Sequence, residues 1–244
     1  MGEAERFFFV HLQKTGGTAL SQRLRESFGP SAVYPTPADG GDVSAVLDVN
    51  RLIERFRESR DDLRVVTGHF PLCAVEVLGV PFTTFTVLRH PVARTLSLLR
   101  RRKVVEARFH GLELEEIYED AALQDIIRNH MVKMLSLSVD EMGATPLTLP
   151  VTFDEARLDR AKHNLGGIDV IGLQEHFEDF CAVLATRVGR DLGEPRFANR
   201  TPAAPVSDGL QERIAADNQM DLELYRYAEQ LVEERKRGKA ATDG

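Results

Sequence analysis

The chain has 244 residues and a formal net charge of -7, with 31 Lys and Arg against 38 Asp and Glu. That balance excludes the broad basic surface that nonspecific nucleic-acid binding needs, so any cations that matter are concentrated at a site. A hydrophobic fraction of 43% is ample for one core, and no break in composition divides the chain, so a single domain over residues 1–244 is expected. No apolar run reaches the ~20 residues that span a membrane. The N-terminal stretch also lacks a signal-like segment, which makes the cytoplasm the expected location. Two cysteines, Cys73 and Cys181, have no metal-like spacing and read as reduced core residues.

The first element is Phe7 to Leu12, an aromatic and apolar run that reads as a central parallel strand covered on both faces. A tight loop follows over Gln13 to Gly17, and a helix opens at Thr18. The paired glycines let the backbone approach a ligand closely. The amides of Thr15, Gly16, Gly17 and Thr18 at the positive end of the helix form an anion cradle. Lys14 adds a mobile charge, and Thr15 and Thr18 add hydroxyls, so a phosphate-like group is the natural occupant. The spacing is not that of the nucleoside triphosphate loop, G-x-x-x-x-G-K-[ST], because Lys14 precedes the glycines.

Gly29 to Gly41 reads as a loop, and Val43 to Ser59 as one helix. A strand over Leu63–Thr67 ends in Gly68-His69-Phe70, which places His69 where open α/β sheets collect their ligands. Its imidazole suits removal of a proton from a hydroxyl near pH 7. After a short helix over Leu72–Leu78, the strand Thr83–Leu88 runs into Arg89, with Pro91 at the first helical turn. Helical spacing puts Arg94, Ser97 and Arg101 on one solvated face and Val92, Leu96 and Leu99 on the buried one. A guanidinium at the corner and the Ser97 hydroxyl two turns in can grip one phosphate together.

Arg100–Lys103 reads as a solvated helix end, and Glu113–Glu119 as an acidic helix or loop. Ala121–Leu137 reads as one helix, in which Asn129 and His130 have no fixed orientation. Phe153–Leu165 reads as a helix with Arg157 outside, and Gly167–Leu173 as the fourth strand. Glu175, at that strand's end, is a second-choice base, and His176 a helix cap or surface group. Arg196–Val206 is Pro-rich and reads as a loop. Asp208–Glu233 reads as a helix with a frayed tail over about 236–244. Strands alternating with helices imply an α/β domain with a mostly parallel sheet and right-handed crossovers.

Three segments in order, K-T-G-G-T after the first strand, then Gly68-His69-Phe70, then R-x-P-x-x-R-x-x-S at Arg89 to Ser97, resemble the sulfotransferases that use 3'-phosphoadenosine 5'-phosphosulfate (PAPS). The resemblance is greatest to the branch that includes carbohydrate sulfotransferases. It implies a P-loop-like three-layer fold in which the loop Lys14, Thr15, Gly16, Gly17 and Thr18 holds the 5'-phosphosulfate. Arg89 and Ser97 would then hold the 3'-phosphate. A late loop closing over the donor makes Asn199, Arg200 and Thr201 contact candidates. Lys14 and His69 are the implied catalytic residues, PAPS the cofactor with no metal, and the acceptor a hydroxyl of a carbohydrate, glycolipid or small metabolite. The chain departs from that pattern at Gln13, where many relatives have Pro, and at Leu98-Leu99, where an aromatic is common. The acceptor and any homo-oligomer stay open. So do two other readings: a nucleotide-dependent kinase, and a non-catalytic domain that binds nucleotide or a partner.

Overall fold

Phe8 and Val10 pack into one helical layer while Phe7 and Phe9 pack into the other, so every side chain of Phe7–Val10 is buried. A strand apolar on both faces requires that arrangement. In the computed structural model, which describes residues 5–193 and 206–242, this strand is β1 and lies at the middle of a five-stranded sheet. The others are β2 (Val33–Tyr34), β3 (Val65–Val66), β4 (Thr83–Leu88) and β5 (Val170–Leu173), in the order β2-β3-β1-β4-β5. All four pairings are parallel, with Phe9 opposite Phe85 and Phe7 opposite Val65.

The helices are α1 (Gly17–Phe28), α2 (Val49–Glu58), α3 (Ala74–Leu78), α4 (Pro91–Val105), α5 (Leu114–Tyr118), α6 (Ala121–Ile127), α7 (His130–Ser136), α8 (Glu155–Gly166), α9 (Phe177–Val188), α10 (Asp208–Asp217) and α11 (Gln219–Thr242). Leu20 and Leu24 of α1, with Phe180 and Leu184 of α9, cover the Phe7/Phe9 face. Helices α2, α3, α7, α8 and α11 cover the other, which makes the expected three-layer α/β fold. Arg23 ties α1 to α9 through a bidentate ion pair with Glu178, at 2.8 and 2.9 Å. A third cluster, around Leu99, Ile117, Ile127 and Ile214, joins α4, α5, α6 and α10 beside the sheet. No helix among the described residues is long and apolar enough to cross a membrane.

The structure corrects several local expectations. The Gly29–Gly41 loop contains β2, the edge strand, whose two residues are buried. The Leu63–Thr67 strand pairs only over Val65–Val66. Val43–Ser59 breaks at Asp48, whose carboxylate caps α2 by accepting from the Asn50 and Arg51 amides. Ala121–Leu137 breaks at Asn129, which adopts a left-handed backbone with φ +41. Asn tolerates that conformation better than most residues do.

Arg94 is not on a solvated face. It is fully buried and donates to the Ile127 carbonyl at 2.7 Å. The reason is that α4 is packed by α5, α6 and α10, so one amphipathic stripe does not describe it. Arg157, expected outside, is buried, donating to the Thr152 carbonyl and pairing with Glu141. The expected frayed tail is helical to Thr242, because Arg235 fastens α11 to the carbonyls of Gly166, Ile168 and Asp169. Asn199, Arg200 and Thr201 lie outside the described residues.

Candidate functional site

Three strand ends meet at the C-terminal edge of the sheet: β1 leads into the Lys14 loop, β3 into His69 and β4 into Arg89. Between them the chain turns through Lys14 at φ +66 and Gly16 at φ +94 before entering α1. Left-handed backbone at a residue with a Cβ costs about 1–2 kcal/mol, so the turn at Lys14 must be held by its surroundings. The Lys14 carbonyl accepts from Arg89 Nη1 at 3.1 Å, and the Gln13 amide on its other side donates to His130 Nε2 at 3.2 Å.

Gly16 caps α1 without a side-chain acceptor. Among the described residues, none of the backbone amides of Thr15, Gly16, Gly17 and Thr18 donates to a protein group, while Ala19 and Leu20 already close on the Gly16 carbonyl. These four donors, at the positive end of a helix, form the concavity expected for an anion. The Thr15 hydroxyl is buried and donates to the Leu12 carbonyl at 2.9 Å. It shapes the loop from behind, while the exposed Thr18 faces solvent.

The Lys14 ammonium is half-buried, and its pKa is lowered first by burial and then by the neighbouring cations Arg101, Arg89 and Arg102. Mutually repelling cations around one loop are what an anion site looks like before its anion arrives. Arg101 and Arg102 belong to the run read as a solvated helix end, so their charge on Lys14 is not apparent from sequence. Ser97 lies two turns into α4, half-buried, and makes no hydrogen bond among the described residues.

Two imidazoles stand beside the cradle. His69 Nδ1 donates to the His11 carbonyl at 2.8 Å, which fixes the neutral tautomer and leaves its Nε2 lone pair available. Its backbone amide is held by the Val46 carbonyl at 2.7 Å. The His11 ring is 4.3 Å from that of His69 and stacks at 4.8 Å on Phe9. Burial lowers both pKa values below 6.5, His11 well below, and the Lys14 charge pushes each the same way. Both rings are therefore neutral near pH 7, as a proton acceptor must be.

A cleft of about 430 Å³ opens between α1 and the segment 67–69, lined by His11, Thr18, Gln22, Arg25 and His69 among others. Neither Glu175 nor His176 reaches it. Glu175 is engaged by the Tyr225 hydroxyl at 2.9 Å and the His90 amide at 3.3 Å, and His176 is an exposed residue before α9. A cavity of about 460 Å³ along the outer edge of β5 is larger, but apolar groups such as Val170, Ile171 and Phe180 supply much of its wall. Arg235 and Lys236 at that cavity are bound to backbone carbonyls and to carboxylates respectively. The imidazoles and the exposed hydroxyl of Thr18 gather at the smaller cleft.

Gly17 is required by His11. A Cβ on Gly17 would sit 1.9 Å from His11 Nε2, and the ring cannot retreat toward the sheet because Phe9 is stacked on Phe85 at 5.2 Å. Gly17→Ala is therefore expected to push the His11 ring out of the cleft and destabilise the fold by about 1–3 kcal/mol. A denaturant midpoint and the His11 ring resonances check this; both unchanged would mean that the ring and helix accommodate the methyl.

No protein-family model matches the chain, and a comparison with curated proteins finds no significant match.

Proposed function

We propose that the protein is a PAPS-dependent sulfotransferase that transfers a sulfuryl group to an acceptor hydroxyl and releases adenosine 3',5'-bisphosphate. The observation that carries this reading is the set of four loop amides with no partner among the described residues, beside the charges of Lys14, Arg89 and Arg101 and next to a cleft lined by two neutral imidazoles. The same three segments that resemble the sulfotransferases supply it, and they converge at one edge of the sheet.

In this reading the loop amides and Lys14 hold the 5'-phosphosulfate, and Arg89 with Ser97 holds the 3'-phosphate. The acceptor enters through the cleft. Its oxygen forms a bond to sulfur as the bond from sulfur to the bridging oxygen breaks. The acceptor proton passes to His69 Nε2, and the negative charge left on the bridging oxygen is met by Lys14. Such a transfer needs in-line placement and charge stabilisation more than covalent help. His11, stacked on Phe9 and next to both the cradle and His69, is a second group able to take that proton.

Calorimetric titration with adenosine 3',5'-bisphosphate, beside AMP and ATP-magnesium, tests the reading. Tight binding that is lost without the 3'-phosphate is expected. Preference for ATP-magnesium would replace the proposal with a kinase. His69→Asn keeps an N–H for the His11 carbonyl and loses the basic nitrogen, so it is expected to bind the bisphosphate normally and to lose about 10²-fold or more in transfer. Unaltered transfer would assign the proton to another group.

A further inference from the structure

Lys14 is in a left-handed conformation, and the backbone around it is pinned by two side chains: the Lys14-Thr15 peptide through its carbonyl, and the Leu12-Gln13 peptide, one unit upstream of the turn, through its amide. Arg89 pins the carbonyl side. The amide side is pinned by His130, from an element more than a hundred residues away in sequence. His130 is fully buried at the start of α7. Because Gln13 N–H donates to its Nε2, that nitrogen carries the lone pair and the ring is neutral.

The position of His130 is itself set with unusual redundancy. The Asn129 amide donates to Asn218 Oδ1 at 2.9 Å, and Asn129 Oδ1 accepts from the Asp221 amide at 3.1 Å. Asp221 in turn takes the Met131 and Val132 amides at 3.1 and 2.8 Å, capping α7 from the first turn of α11. Asn218 and Asp221 are both fully buried. The junction between α10 and α11 therefore clamps the start of α7, α7 aims an imidazole, and the imidazole holds the amide before Lys14.

We infer that His130 is a positioning residue of the anion cradle, anchoring the Leu12-Gln13 peptide from which the left-handed turn at Lys14 departs, so that the Lys14 ammonium and the following amides are presented to the 5'-phosphate end of the donor. This rests on the PAPS reading of the cradle. His130 does not touch the donor; it acts through Gln13 and Lys14. Without its acceptor, the Gln13 amide is buried unpaired or the peptide turns, and the turn at Lys14 relaxes toward right-handed backbone.

The test uses the affinity of adenosine 3',5'-bisphosphate relative to 3'-AMP, a ratio that isolates what the cradle contributes to the 5'-phosphate. His130→Leu fills the space without an acceptor, and His130→Gln returns an acceptor oxygen near the position of Nε2. The ratio is expected to fall about tenfold in His130→Leu, the size of one lost buried hydrogen bond, and to be restored in His130→Gln. The affinity of 3'-AMP itself, read by Arg89 and Ser97, should not move. A general loss of stability would lower both affinities or neither. Wild-type protein that prefers the bisphosphate, with an unchanged ratio in His130→Leu, overturns the inference and leaves the function standing. Wild-type protein with no such preference overturns both. Should His130→Leu not fold, the bond is read in the wild type as a scalar coupling between the Gln13 amide nitrogen and His130 Nε2. Its presence, together with a shift on adding bisphosphate but not 3'-AMP, supports the role, and its absence removes it.

Discussion

Lys14→Ala is expected to lower sulfuryl transfer by about 10³-fold while leaving the fold intact. The magnitude follows from what the ammonium does in the proposed reaction: it meets charge that develops only as the bond to the bridging oxygen breaks, and one such preorganised donor contributes about 10² to 10³ in rate. Lys14 adds full charge to that. The fold should survive because the side chain is half-buried at the rim, and the hydrogen bonds that shape the loop, at the Gln13 amide and the Lys14 carbonyl, are made by backbone atoms that the substitution keeps. Removing a cation from a cluster that includes Arg89, Arg101 and Arg102 also relieves repulsion. The thermal midpoint should therefore stay level or rise slightly while turnover collapses. Lys14→Arg restores charge but not shape, since a planar guanidinium cannot replace a compact ammonium in a close cradle, and only partial recovery is expected. Single-turnover rates with labelled donor, measured beside bisphosphate affinity, separate the two effects. A Lys14→Ala variant within threefold of wild type would dismiss Lys14 from the reaction.

How far the molecule could be read from its sequence differs from residue to residue. Phe7–Val10 and Thr83–Leu88 were legible because strands apolar on both faces can only be central. The cradle was legible because Lys14, the glycines and Thr18 follow such a strand directly. By contrast β2 is two residues long, and a strand that short carries no period to detect. Arg94 was misplaced because helical spacing groups it with Ser97 and Arg101, whereas its depth is set by α6 and α10, which approach from distant parts of the chain. His11 reads from sequence as one more residue of an apolar strand. The available signal was its oddity: an imidazole at the end of such a strand, three residues before the cradle lysine, has to find a polar role or a costly burial. His130 had no local signal at all. Its function depends on the clamp from Asn218 and Asp221, and a contact spanning about ninety residues leaves no trace in local pattern.

The same three histidines, His130 fully buried and His11 and His69 half-buried at the cleft, should make the fold sensitive to acid. His11 and His130 are held well below 6.5 and His69 below it, in each case chiefly by burial. Nearby cations add to this: Lys14 for His11 and His69, and Arg94 and Lys133 for His130. As pH falls through 6.5 the unfolded chain takes up protons on these rings ahead of the folded protein. A depressed folded pKa means that stability is present above the unfolded value and is lost as pH falls, at about 1.4 kcal/mol per pH unit for each proton. Asp221 works the other way. Burial raises its carboxyl to about 6, so between its ordinary 3.8 and about 6 the folded protein holds a proton that the unfolded chain has released. Lys133, lowered by burial to about 8, titrates above this window. Three imidazoles favour the unfolded state as the pH falls against one carboxyl favouring the folded, so the net effect is a loss of stability toward acid. The melting midpoint should therefore drop between pH 7.5 and pH 5.5. His130→Gln should take about one proton out of the slope, which distinguishes the buried histidines from a general effect of net charge. Calorimetric scans across that range decide it. A flat midpoint would mean that at least two of the three rings gain their proton in the folded protein, and the neutral imidazole pair at the cleft would go with it.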